Sequence, residues 1–229
     1  LSCDNFYDNI QPADDLPIRA VYKNAADLQT ALAGVYHVFQ ESGLADLNLL
    51  AIPELISCNG LLQEPGFPDF TDISQRTMRA SNFYAEETWI AAYKAINLLN
   101  AILAAMPKVV DVDLTPELEA QIKGECLFLR GYLYFELLRL YGQPYGNTDV
   151  QGGVPIITEA VLQQEDLSFP TRKSVDEGYA QAIDDLTEAK NLLQNNTNGA
   201  DRANAKAVNA LLAKIAFQKE DYVQAGTIA

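Results

Sequence analysis

Apolar side chains recur at helical spacing along most of the chain. Over residues 24–40, Leu28, Leu32, Val35, Tyr36 and Phe39 fall on one face. Asn24 stands where a cap belongs, and Asp27 follows three positions on. The spacing predicts a helix there, a second over 45–56 bent at Pro53, and a third over 85–106. The stripe of the third is Trp89, Tyr93, Ile96, Leu99 and Leu103, and Pro107 ends it. Asn100 falls two turns after Tyr93 on that stripe, so it is predicted to be buried, its amide clamping a neighbouring loop.

The stretch 115–159 has a different pattern. Leu118, Ile122, Cys126, Leu129, Leu133, Leu137 and Leu140 make one face; Phe128, Tyr132 and Phe135 a second; Leu127, Tyr134, Leu138 and Tyr141 a third. A helix that is apolar on almost every side has to be wrapped by other helices, which places this one at the centre of an all-α domain. Thr115 caps it, Pro116 takes the first helical position and Gly142 stops it. Glu125, Glu136 and Arg139 share one narrow side, an ion-pair strip against a neighbouring helix. Arg130 points the opposite way.

Ser174 with Glu177 forms a capping box for a helix through residue 193. Tyr179, Ala182, Ile183, Leu186 and Leu193 are predicted to face inward, and Asp176, Asp184, Asp185 and Glu188 to form a solvated acidic side. Beyond a polar linker, Leu212, Ala213, Tyr222 and Ala225 match the spacing of a tetratricopeptide repeat, with its turn at Lys219-Glu220-Asp221. Small residues at 213 and 225 let two antiparallel helices approach closely. One such hairpin cannot bury its own face, so such hairpins stack. The chain stops inside the second helix of that repeat and reads as truncated. Asn195-Asn196-Thr197 is formally a glycosylation sequon.

Two stretches break the helical pattern. Residues 57–84 hold Gly60, Pro65, Gly66 and Pro68, with Phe67 and Phe70 beside Asp69 and Asp72. Long irregular loops inside compact domains are usually functional or disordered. Either these aromatics form a platform for sugar rings, whose C–H faces stack on π faces, or they fold back over the core. The start, Leu1-Ser2-Cys3-Asp4, leads into a polar, turn-rich tether over 1–23. Cys3 is either a lipid attachment point or an ordinary free cysteine.

Composition narrows the chemistry. With 16 Lys+Arg against 31 Asp+Glu, the net charge of −15 argues against a nucleic-acid groove. The most apolar segment, 95–107, is short and carries Asn97 and Asn100, so no membrane span is expected. His37, the single histidine, reads as packing or surface rather than a metal ligand. Cys58 and Cys126 can pair only if folding brings them together; Cys126, mid-helix, reads as a small buried hydrophobe. No Ser/His/Asp set, metal cluster or phosphate loop stands out. Accordingly no catalytic residue, metal or cofactor is expected.

The order of these pieces resembles the first part of the SusD/RagB family, nutrient-binding outer-membrane lipoproteins of Bacteroidetes. The strongest likeness is GECLFLRGYLYFELLRLYGQPYG followed by GGVPIITE, with Glu125, Phe128, Leu129, Arg130, Tyr132, Tyr134, Phe135, Tyr141, Gly142, Val154 and Pro155 at matching places. Trp89, Tyr93, Ile96 and Asn100 match a second family helix, and Tyr179, Asp185, Leu186 and Ala189 a third. Residues 205–225 match the family's repeat helices, and Cys3-Asp4 fits a mature lipoprotein start. The resemblance implies a right-handed superhelix of tetratricopeptide-like helix pairs with long irregular loops, a domain over 24–229 behind a tether over 1–23. It implies a lipid on Cys3, exposure at the cell surface of the outer membrane, and docking on a SusC-type TonB-dependent β-barrel. The loop-rich face would capture an oligosaccharide, or in some relatives a peptide, without chemistry. Asn59, Phe67, Asp69, Phe70, Asp72 and Arg76 are the candidate ligand residues. Two departures matter: Cys58 replaces a family acidic residue next to Asn59, and Gly131 replaces an alanine. Family members are also much longer, and their missing half contributes to the pocket. The competing readings are a glycoside hydrolase on a helical scaffold, with Asp69 and Asp72 as loop carboxylates, and a tetratricopeptide scaffold for a protein partner.

Overall fold

The computed structural model describes residues 21–60, 62, 67–163, 166–194, 199 and 201–229, and all regular structure among them is helical. Cys3, most of the tether and the sequon at 195–197 lie outside the described residues. Helix α1 spans Ala25–Phe39, with the Asn24 side chain accepting from the Asp27 amide at 2.9 Å. Leu28, Leu32 and Val35 are buried along it, and His37 is exposed.

The second helix departs from expectation. A wide turn, Ser42–Asp46, is kinked at Leu44, and α2 begins only at Asn48, running Asn48–Ile56 with Pro53 inside it. The kink drives Leu44 into the core, where it is fully buried. The irregular stretch also holds a helix, α3, Pro68–Ser74, opened by a proline at its first position. Helices α2 and α3 end in the same way. Cys58 (φ 62°) and Arg76 (φ 57°) take the left-handed conformation usually given to glycine. The next amides, of Asn59 and Thr77, then reach back to Glu54 O at 3.0 Å and Asp72 O at 2.9 Å.

Helix α4, Phe83–Ala105, is capped by Asn82 and runs into a 3₁₀ turn at Met106–Lys108. Contrary to the sequence expectation, Phe83–Lys108 is long and apolar enough to cross a membrane by length and composition, with a mean hydropathy of 1.4. Half of that window is buried inside the fold, as for a core helix. It packs on α1 and on the central helix α5, Pro116–Tyr141. Helix α6, Val175–Leu192, carries the predicted capping box. It lies close on α5 because Gly131 has no side chain: a Cβ there would come within 2.9 Å of Leu186 and 3.0 Å of the Ala182 carbonyl. Alanine at 131 therefore requires the two helices to shift apart. Helices α7, Ala205–Gln218, and α8, Tyr222–Ile228, form the tetratricopeptide-like hairpin, with Ala225 buried between them. A main core joins α1, α4, α5, α6 and α7, and a small satellite of Ile52, Leu55 and Ile73 sits under Phe70 and Tyr84.

Charges on the central helix are buried and paired. Glu125 is fully buried, accepting from Tyr36 Oη at 2.8 Å and Arg202 Nε at 2.7 Å. Glu136 binds Arg139 and Lys214. This is the predicted ion-pair strip. On the other side, Arg130 donates from Nε and Nη2 to the two Asp185 oxygens at 2.8 and 2.6 Å, and from Nη1 to Asn100 Oδ1 at 2.8 Å. Burial alone would lower the Arg130 pKa, but the Asp185 hydrogen bonds and charge outweigh it and hold the group above its ordinary value. The expectation that Asp185 faces solvent is thereby corrected. It lies three residues after Ala182 and four before Ala189, on the buried stripe, and it enters the core because Arg130 neutralises it. Cys58 is exposed and Cys126 buried, and both are free thiols.

Candidate functional site

A strap over residues 153–161 follows the central helix and is fixed by side chains. Tyr93 Oη donates to Pro155 O at 2.7 Å. Tyr134 Oη donates to Ile157 O at 2.7 Å and accepts from Ile157 N at 2.8 Å. Asn100 Nδ2 donates to Ile157 O at 2.9 Å and Glu159 O at 3.2 Å, the predicted clamp. Asn97 exchanges two bonds with the backbone of Val161, at 2.8 and 2.7 Å. Burial pushes the Tyr134 phenol up to about 12, so it stays a donor at neutral pH.

The strap in turn positions Arg172. Gly153 N donates to Lys173 O at 2.8 Å and Lys173 N to Val154 O at 3.1 Å, holding the 171–174 segment alongside. Arg172 Nη1 donates to Gly153 O at 2.8 Å and to Tyr141 O at 2.9 Å. Its guanidinium carbon lies 5.4 Å from the centroid of the Trp89 ring, within cation–π range. Trp89 meets Tyr141 edge-on at 5.1 Å, and Tyr141 Oη donates to Ala85 O at 2.7 Å. Burial pushes the Tyr141 phenol up to about 12.

These groups line a cleft of about 500 Å³. Ala85, Glu86 and Trp89 come from α4, Tyr141 from the end of α5, and Arg172 from the segment before α6. Met78, Arg79 and Ala80 close it from the turn between α3 and α4. A half-buried aromatic floor with a charged rim suits a ligand that is apolar on its faces and polar at its edges. Sugars have that form. A second groove, about 440 Å³, shares Glu86 and is lined further by Glu41, Phe83, Glu87, Ile90, Ala91 and Lys94.

None of the candidate residues from the sequence lines either depression, although Asp69 and Phe70 touch Asn82 and Tyr84 at the start of α4. Phe67 is 62% exposed at the head of α3 and meets Phe70 edge-on at 6.3 Å. Phe70 stacks on Tyr84 at 3.8 Å over the satellite core. One ring thus stays free and the other is committed to packing. Phe83, which contacts Tyr84 at 5.3 Å, continues this chain of rings into the second groove. Asp69 and Asp72 are half-buried, and the Asp69 carbonyl accepts from Asn82 Nδ2 at 2.9 Å. Asn59 is exposed. Arg76 donates to Ile56 O at 2.9 Å and lies 3.4 Å from Cys58 Sγ, tying α3 to the end of α2. Trp89, Tyr141 and Arg172 were absent from the sequence-derived set. The first two were read as core stripe. Arg172 lies 83 positions from Trp89 in the chain, beyond the reach of local pattern.

A family model described as "Starch-binding associating with outer membrane", SusD-like, matches residues 67–217, about two-thirds of the chain. The chain belongs to the SusD-like family. SusD-like protein P38 of Formosa agariphila is 24% identical over 192 residues, which cover 83% of this chain and 34% of P38. A SusD superfamily protein from Bacteroides thetaiotaomicron superposes with a TM-score of 0.75 at 24% identity, covering 90% of this chain and 45% of that one. A laminarin-binding SusD-like protein gives 0.71 at 20% identity, over 90% and 43% of the two chains. The all-α, tetratricopeptide-like SusD-like fold is thereby shown. This chain spans about a third of the curated relative and less than half of those solved structures.

Proposed function

We propose that this SusD-like chain belongs to a cell-surface lipoprotein that captures oligosaccharides and passes them to a SusC-type TonB-dependent barrel. The observation that carries the reading is the Trp89–Tyr141 floor with Arg172 laid over it. In a starch-binding, outer-membrane-associated family, the part of this aromatic pair left open beside Arg172 would accept the C–H face of a sugar ring. Arg79, Glu86 and Arg172 meet its hydroxyls at the rim. Arg172 is already oriented by two carbonyls, so little freedom is lost on binding. Phe67 and the edge formed by Asn59, Asp69, Asp72 and Arg76 would extend recognition along a longer glycan, with Phe70 supporting Phe67 from behind. The tetratricopeptide-like helices would dock on the barrel. Glycoside hydrolysis would use two carboxylates across the scissile bond; Glu86 is the carboxylate among the described residues that line the cleft.

Trp89 is the only tryptophan, so its fluorescence reports directly on the cleft. A titration with laminari-, malto-, xylo- and galacturono-oligosaccharides is expected to give a saturable change with at least one series. Trp89→Leu, matched for helix content by circular dichroism, is expected to weaken that ligand about tenfold by calorimetry. Absence of any saturable response, or release of shorter sugars from the same panel, would sink the reading. Anchoring through Cys3 has its own check. In cells carrying the whole gene, Cys3→Ala is expected to move the protein out of the membrane fraction, and retention there counts against a lipid on that residue.

A further inference from the structure

The charge around the cleft runs against that of the molecule. The chain carries −15, yet the described residues that line the cleft include two arginines and one carboxylate. Other arginines are occupied: Arg130 by Asp185, Arg139 by Glu136, Arg202 by Glu125, and Arg76 by the Ile56 carbonyl. Arg79 and Arg172 form no ion pair among the described residues, although Glu86 lines the same cleft. Arg172 uses Nη1 for two backbone carbonyls and rests over Trp89. Its Nε and Nη2 have no protein partner among the described residues. One side of the fork is therefore fixed by the backbone, and the other remains available beside an aromatic platform.

We propose that the cleft selects an anionic saccharide, with the free edge of Arg172 and the Arg79 side chain receiving a carboxylate or sulfate borne on a sugar held in the cleft beside Trp89. The inference rests on the reading of this cleft as a saccharide site. A guanidinium offers paired parallel donors that match the two oxygens of a carboxylate or sulfate, and charge-assisted bonds of this kind are about twice as strong as neutral ones. A neutral hydroxyl uses one donor and gains nothing from the charge. A positive cleft in an otherwise acidic surface also favours an anion there over one elsewhere on the molecule.

The test uses matched probes on the 229-residue chain. Tetragalacturonate is compared with its carboxyl-reduced form, and a sulfated galactan tetrasaccharide with its desulfated form, by Trp89 fluorescence and calorimetry. At least one charged probe is expected to bind about tenfold tighter than its neutral twin. That advantage should shrink as sodium chloride is raised. The pair showing the difference identifies carboxylate or sulfate as the anion. Arg172→Gln and Arg79→Gln are each expected to cut the charged-to-neutral affinity ratio several-fold, and the double variant to bring it to about one. Twins of equal affinity, or a ratio that survives in the double variant, overturn the anion preference and leave the saccharide reading standing. Failure of all four probes and of the neutral oligosaccharide series overturns both.

Discussion

Two arginines about forty residues apart in the sequence differ in how far the fold itself claims them. Arg130 sits in the core with its guanidinium committed to protein: two bonds to Asp185 and one to Asn100. Through Asn100 the circuit continues to the strap carbonyls at 157 and 159. It is closed, and a closed buried circuit holds helices in register. Arg172 sits at the surface end of the same strap. It is oriented by two carbonyls and an indole ring, but part of its fork is unclaimed. The difference lies in what the surrounding elements supply. Helix α6 brings a carboxylate to Arg130, whereas the cleft brings carbonyls and a π face to Arg172 and no counter-charge among the described residues.

The contrast can be broken from the buried end with the largest effect. Asp185→Ala leaves the Arg130 charge without its partner in the core and is expected to cost about 3–5 kcal/mol by urea denaturation, most of it recovered when Arg130→Met is added. A loss under about 1 kcal/mol would show that Arg130 finds water instead. Asn100→Ala is smaller, about 1–3 kcal/mol, because it removes one donor from each of two part-buried strap carbonyls and the acceptor of one Arg130 arm without leaving a bare charge. It should also speed hydrogen exchange at the Ile157 and Val161 amides, the strap donors held by Tyr134 and Asn97. At the open end, Arg172→Gln is expected to change stability by no more than about 0.5 kcal/mol, as for an exposed side chain, while altering ligand preference. A stability loss as large as that of Asp185→Ala would move Arg172 into the structural class and end the comparison.

What was legible in the sequence followed from local rules. Asn24, Thr115 and Ser174 cap their helices as predicted, because a cap is decided within four residues. The burial of Asn100 came from its place two turns past Tyr93, and the ion-pair strip from angular position alone. Asp185 was misread because a run of acidic residues conceals the one that falls on the apolar stripe; the spacing from Ala182 to Ala189 held the signal. Helix α3 was missed because seven residues give almost two turns of pattern, though Pro68 marked its start. Of the cleft, only the turn carrying Met78 and Arg79 falls inside the irregular stretch 57–84 that the sequence singled out. The rest of the cleft was not legible, since it exists only where the end of α5, the first turns of α4 and the segment before α6 converge.

The strap carries one consequence for how such a surface can diversify. Its path is set by amides and phenols that grip main-chain atoms and by the buried Val154 side chain, so the grip does not involve the side chains that face outward. Thr158 and Glu159 are exposed there, and Glu159 is held through its carbonyl. Substitutions at these positions leave the route to Arg172 unchanged, whereas a change in the grip, at Asn97, Asn100 or Tyr134, redirects it. The molecule thus separates a part free to drift from a part that keeps the cleft in place.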